Sequence, residues 1–284
     1  MRTISELAAY STTELLLKTG ISMNNFSSAL YSETLKMRRS KVPLFSTLGF
    51  SMVPLMGGLF MVILKDPEAA RSWGLISAKA QITAGTAEWS SLFNLLAQAI
   101  AVGGFILFGI LTSWVFGREF SDHTVKELLA LPTSREKIVS AKFVVIVAWA
   151  VVNVLYIFGL GLLVGYLVDI PGWSMDLLRT SFVDILGSAV LTIALLPFVA
   201  LLAGIGRGYL SPIGWMILMV ALAQTASFMG WGGWFPWAVP ALFAGAVGPR
   251  AEQLGPHSYV IVILASLLGL AATFWWWRDA DQTR

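Results

Sequence analysis

The run Phe143–Val168, FVVIVAWAVVNVLYIFGLGLLVGYLV, carries no Asp, Glu, Lys or Arg in its 26 residues. A helix rising about 1.5 Å per residue needs roughly 20 mainly apolar residues to cross bilayer hydrocarbon, where every backbone polar group must find its partner inside the protein. This run therefore reads as a membrane-spanning helix. Working outward from it, Pro43–Leu64, Leu92–Phe116, Phe182–Ala203, Pro212–Met229 and Tyr259–Trp277 meet the same requirement. The expected fold class is an all-α integral membrane protein with six transmembrane helices. Composition agrees, since 57% of the 284 residues are hydrophobic and 12% are charged, about half the charged share of a soluble domain. A further apolar piece, Trp231–Val247, is broken by Pro236 and Pro240. It is expected as a re-entrant or interfacial hairpin before the sixth span, because irregular backbone at that depth needs protein or water to satisfy it.

The charges set the orientation. With the N-terminus inside, fourteen Lys and Arg fall in inner segments and five (Lys65, Arg71, Lys79, Arg179 and Arg250) in outer ones. The positive-inside rule then places both termini in the cytoplasm. Ten of the twelve tryptophans fall near span ends, the run Trp275–Trp277 among them, which supports the same boundaries. The net charge of +3 is scattered beside apolar segments, so nucleic acid is not an expected partner. Cysteine is absent, which removes disulfides, thiolate nucleophiles and cysteine metal sites. His123 and His257 fall on opposite sides, so no metal site and no catalytic residue are expected.

Three regions follow: an N-terminal extension over 1–22, an interfacial amphipathic helix within 23–42, and the six-helix domain over 43–284. No run near the start is long enough for a secretory signal core. On the interfacial helix, Phe26, Ala29, Leu30 and Met37 share one side, and Lys36, Arg38, Arg39 and Lys41 are expected against anionic headgroups of membrane lipids. A solvated basic flank that merely sets topology is the alternative reading.

Between the second and third spans, Gly117–Lys142 has legible capping chemistry. Thr124 with Glu127, and Thr133 with Glu136, each fit the box in which a hydroxyl caps a backbone N–H three residues on while the carboxylate reaches back. Two helices are expected. The first carries Val125, Leu128 and Leu129 and stops at Leu131 before Pro132; the second runs from about Ser134 into the third span.

The run Gly117-Arg118-Glu119-Phe120, then Thr124, then Glu127-Leu128-Leu129-Ala130-Leu131-Pro132-Thr133-Ser134-Arg135, resembles the signature of type-2 ABC exporter permeases. In that family an acidic residue follows the second span, a threonine comes next, and a leucine-rich helix ends in Pro, Ser or Thr, then Arg. The resemblance implies a non-enzymatic permease subunit in a bacterial or archaeal plasma membrane. A second permease chain, the same or a sister, would pair with it above two cytoplasmic ATP-binding-cassette ATPase subunits. It further implies that Glu119, Phe120, Thr124, Val125, Leu128, Leu129 and Arg135 couple to the ATPase. The chain lacks a G-x-x-x-x-G-K-[ST] phosphate loop, so ATP and Mg would belong to that partner, with no cofactor here. Similar permeases export antimicrobial peptides, antibiotics or sodium. The sequence departs from the pattern at His123, where the family often has Gly, and in the extra residues 1–22.

An ion-coupled secondary transporter would need an ionisable group near mid-membrane, and the predicted span interiors hold none. Asp184 reads as lying near the outer end of the fourth span. Asn94, Gln98, Asn153 and Gln224 are the candidate pathway or interhelical polar contacts, with Thr225 beside the last. So few polar groups suit an amphipathic or lipid-like cargo better than a bare ion. A membrane sensor or scaffold without transport shares the topology. Gly161 and Gly165, and the glycines at 204, 206 and 208, read as close helix packing.

Overall fold

The computed structural model describes residues 25–66, 86–129, 133–246 and 254–279, and the expected extension over 1–22 lies outside them. Among the described residues the regular structure is entirely helical. In chain order the helices are α1 (Asn25–Arg39), α2 (Val42–Lys65), α3 (Trp89–Ser121), α4 (Val125–Leu129), α5 (Arg135–Leu167), α6 (Met175–Ile193), α7 (Leu196–Ile205), α8 (Leu210–Phe228), α9 (Val239–Phe243) and α10 (Pro256–Asp279). Six segments are long and apolar enough to cross a membrane: α2, α3, α5, α6 with α7, α8 and α10.

The spanning helices overrun their apolar stretches. Nothing in Gly117–Ser121 or Arg135–Lys142 breaks a helix, so hydrogen bonding continues past the last apolar residue and carries charged groups into the helical frame. The fourth span begins at Met175, where the Ser174 hydroxyl accepts the Leu177 N–H at 3.1 Å. It breaks at Ala194–Leu195, just ahead of Pro197, which supplies no N–H to the turn before it. Asp184 is consequently the tenth residue of α6, about 14 Å along it, and the expectation that it sits at the helix end is corrected.

α3 is the hub, packed on α2, α5, α6, α7 and α8. Leu92, Leu96, Phe108, Leu111 and Phe116 on it are fully buried, whereas α2 turns Leu44, Phe45 and Leu48 outward, as a lipid-facing helix does. Gly161 and Gly165 of α5 face Leu96 and Trp89 at distances that leave no room for a side chain, so these glycines set how closely α3 and α5 approach. The interrupted apolar piece folds as a 3-10 turn at Gly232–Trp234 followed by α9. α9 packs on α3 and α6, and Trp237 stands edge-on to Trp215 with centroids 5.1 Å apart.

The ends of α1, α3, α5, α7 and α10 that meet around residues 117–142 carry most of the described Lys and Arg, and this is termed the basic end. α1 lies there against α5 and α2. The tryptophan run near the end of α10 does not form a uniform interfacial girdle. Trp275 is exposed, but Trp277 is buried between Phe116 and Phe120 because helical spacing turns it toward α3.

Candidate functional site

At the basic end, α3 closes in a left-handed turn that launches α4. The Thr124 N–H bonds to the Glu119 carbonyl at 2.9 Å and the His123 N–H to the Phe120 carbonyl at 3.3 Å, the paired bonds of a Schellman cap. His123 occupies the position that must turn left-handed, with φ of +58°. Glycine adopts that conformation without a Cβ clash, which gives a physical reason for glycine to be favoured there. Neither predicted capping box forms: the Thr124 hydroxyl does not receive the Glu127 N–H, and α5 starts one residue later than the second box requires, with Ser134 in the extended N-cap conformation. In the first case the backbone of Thr124 is already spent on closing α3.

The helix ends on either side of α4 are joined by a buried ionic quartet drawn from α1, α3 and α5. The Lys142 ammonium, fully buried, donates to the Val115 carbonyl at 2.7 Å and the Glu119 Oε1 at 2.8 Å, and reaches Glu33 Oε2 at 3.4 Å. Its three protons thereby have three acceptors. Lys36 donates to Glu33 Oε1 at 2.7 Å and to Glu119 Oε1 at 3.0 Å. Two acids and two bases make the group neutral, the condition under which buried charges persist. Burial alone would lower the Lys36 pKa, but the carboxylates of Glu119 and Glu33 outweigh it and hold the ammonium above the ordinary lysine value. The second Glu119 oxygen, Oε2, is buried without a partner.

One expectation is corrected here: Lys36, expected against headgroups, turns inward to the quartet. Lys142 lies in the helix expected to run from about Ser134 into the third span, and the structure adds that it is wholly enclosed. The sequence offered one clue: Glu33 interrupts the stripe of Leu30 and Met37 at helical spacing, and a carboxylate on a buried face demands a cation. That Lys142 supplies it could not be read from spacing.

The predicted coupling residues divide by where they point. Glu119 belongs to the quartet. Phe120 is buried, edge-on to Trp276 and Trp277 at 5.9 and 5.8 Å. Val125 is buried, Thr124 is half-buried, and Lys126 and Glu127 are exposed on α4. The backbone of Leu128 and Leu129 continues α4, while their side chains lie outside the described residues. Arg135 donates through Nη1 to the carbonyls of Trp277 (3.2 Å) and Arg278 (3.0 Å), which belong to the last turn of α10 and lack helical partners. The start of the third span therefore caps the end of the sixth.

The predicted polar contacts do not converge on one path. Asn153 is buried, with its Oδ1 accepting from Thr47 at 2.9 Å and its Nδ2 donating to the Trp149 carbonyl at 2.9 Å, so it links α5 to α2. Gln98 donates to the Gly245 carbonyl at 3.3 Å. Asn94 is exposed, and Gln224 lines a small apolar cavity with Phe105 and Trp237. Among the described residues no three His, Asp or Glu side chains stand close enough together to hold a metal ion.

A helical bundle with six membrane-crossing segments, whose second and third spans run on into a small helix anchored by buried charge, defines a multi-pass membrane transport component. The chain belongs to the ABC-2 family of transporter proteins, whose family model matches residues 29–223. It is also similar to the bacitracin transport permease protein BCRB of Bacillus licheniformis, 30% identical over 182 residues that cover 63% of this chain and 85% of that one. No solved structure matches the chain at a significant level. Members of this family are the membrane permease of a transporter that works with a cytoplasmic ATPase subunit.

Proposed function

We propose that this chain is the permease of an ATP-driven exporter that moves an amphipathic, lipid-like or peptide antibiotic outward. The observation that carries the reading is α4: a short helix with a charged outer face, fixed to the second span by the Glu119 carbonyl and flanked by a quartet that locks the second and third spans together. The similarity to a bacitracin transport permease supports an antimicrobial cargo over sodium. In this reading the basic end faces the cytoplasm and both termini lie there. Two permease chains, the same or sister, sit above two ATP-binding-cassette subunits, which hold ATP and Mg.

The division of labour among the coupling residues follows from their burial. Thr124, Lys126 and Glu127 form the surface that meets the ATPase, and the family resemblance adds Leu128 and Leu129 to it. Glu119, Phe120, Val125 and Arg135 act from behind it, tying α4 to α3, α5 and α10, so that a displacement of the ATPase is passed to three spans as one body. A rigid root is required for this, because a helix of five residues has little stability of its own.

The test is purification of the tagged chain from its host in mild detergent, with mass spectrometry of what remains bound. A stoichiometric ATP-binding-cassette subunit is expected with the parent chain and is expected to be lost in L128D/L129D while membrane insertion is unchanged. Normal assembly in that double variant would remove the coupling role from α4. Recovery of the chain without any ATPase would instead favour the ion-coupled or scaffold alternative.

A further inference from the structure

The basic end also holds a crevice of about 500 Å³ that the coupling reading leaves without a role. One wall is a face of α1 carrying Ser32, Lys36 and Arg39 at successive helical positions. The other is the last stretch of α3, where Trp114 and Arg118 stand one turn apart, and Tyr209 at the start of α8 closes it. Lys36 is spent on the quartet. Among the described residues neither Arg39 nor Arg118 has a carboxylate within ion-pair distance, and the Arg118 guanidinium lies 4.8 Å from the centre of the Trp114 ring. The one acid among the described lining residues, Asp122, is exposed on the outermost turn, so these residues leave an excess of positive charge.

The same face of α3 changes character with depth. Below Arg118 comes the indole of Trp114, then Ile110, which is 40% exposed, then Gly103, beside which there is open space. Cation, interfacial aromatic and aliphatic surface follow one another along a single helix face. That is the order in which a phospholipid presents phosphate, glycerol region and acyl chain.

We infer that this crevice binds the phosphate of an anionic phospholipid from the leaflet at the basic end, held by Arg39 and Arg118 with hydroxyls from Ser32 and Tyr209, its acyl chain lying along the Ile110 face. Arg118 is pre-positioned by the indole, so the guanidinium gives up little side-chain freedom on binding. The inference depends on the exporter reading only for which leaflet supplies the lipid.

Native mass spectrometry of the full chain in micelles containing equal amounts of phosphatidylglycerol and phosphatidylcholine tests it. Retained lipid is expected to be enriched in phosphatidylglycerol, and R39Q to reduce that enrichment about fivefold, the effect of one charge near a lipid surface. R39Q is chosen because Arg39 is exposed and its side chain makes no hydrogen bond within the described fold, so the substitution leaves folding intact. R118Q should act in the same direction. R38Q, a neighbouring exposed cation outside the crevice, should have a clearly smaller effect than R39Q.

Equal retention of the two lipids, or R38Q acting as strongly as R39Q, would overturn the site. Displacement of the lipid by excess inorganic phosphate would show a free-anion site and overturn the lipid assignment. No ATPase takes part in the measurement, so failure of the coupling experiment leaves this result standing, and the converse holds as well.

Discussion

Lys142 is the residue on which the basic end turns. A lysine with no solvent exposure needs an acceptor for each N–H, and here the Glu119 carboxylate, the Glu33 carboxylate and the Val115 carbonyl accept its three hydrogen bonds. Removing one member of such a group costs more than removing a matched pair, because the survivor is left charged in a poorly solvated place. E119Q and K142M are each expected to destabilise the detergent-solubilised protein by roughly 3–5 kcal/mol, and E119Q/K142M, which keeps the site neutral, by clearly less than the sum. Thermal melting of the four proteins measures this. Single variants that melt like the parent would show that the quartet contributes nothing to the junction of α1, α3 and α5.

At the scale of elements, the junction between α3 and α4 is held by backbone geometry more than by side-chain caps. The turn demands a left-handed residue at 123, and the histidine there pays a steric penalty of about 1 kcal/mol that glycine avoids, offset in part by glycine's greater freedom in the unfolded chain. H123G is therefore expected to raise the melting temperature slightly, by an amount corresponding to less than about 1 kcal/mol. A fall in melting temperature would mean that the exposed imidazole makes a contact worth more than the strain. The Arg135 bonds to the last carbonyls of α10 belong to the same scale: they connect α5 to the chain-distant end of α10 that carries the buried Trp277.

For the whole molecule, the alternation of helices places the ends at Lys126 and Asp169 on opposite faces, with Lys65 reaching the Val168 and Asp169 carbonyls at the end away from α4. The chain has no cysteine, so single-cysteine variants need no background removal. K126C is expected to react with an impermeant maleimide only in inverted vesicles, and D169C only in intact cells. Labelling of K126C from outside would reverse the orientation and place the ATPase-facing helix on the wrong side for ATP.

The spans were legible because hydrocarbon forces each segment to satisfy its own backbone, which leaves a local mark of some twenty apolar residues. The helix after the second span was legible for a related reason: Pro132 and the leucines around it act within a few residues of one another. The sequence by itself determined the helical class, the number of crossings and the presence of α4, since each depends on contiguous residues. It could not determine that Glu119 points inward, that Lys142 is enclosed, or that Arg135 caps α10. Those outcomes depend on partners 23 to 143 positions away in the chain. Only the tertiary structure brought Glu33, Lys36, Glu119 and Lys142 into one neutral group, because the pairs between helices are enforced by the space between packed elements and leave no spacing in the sequence to read, unlike Glu33 and Lys36 three residues apart on α1.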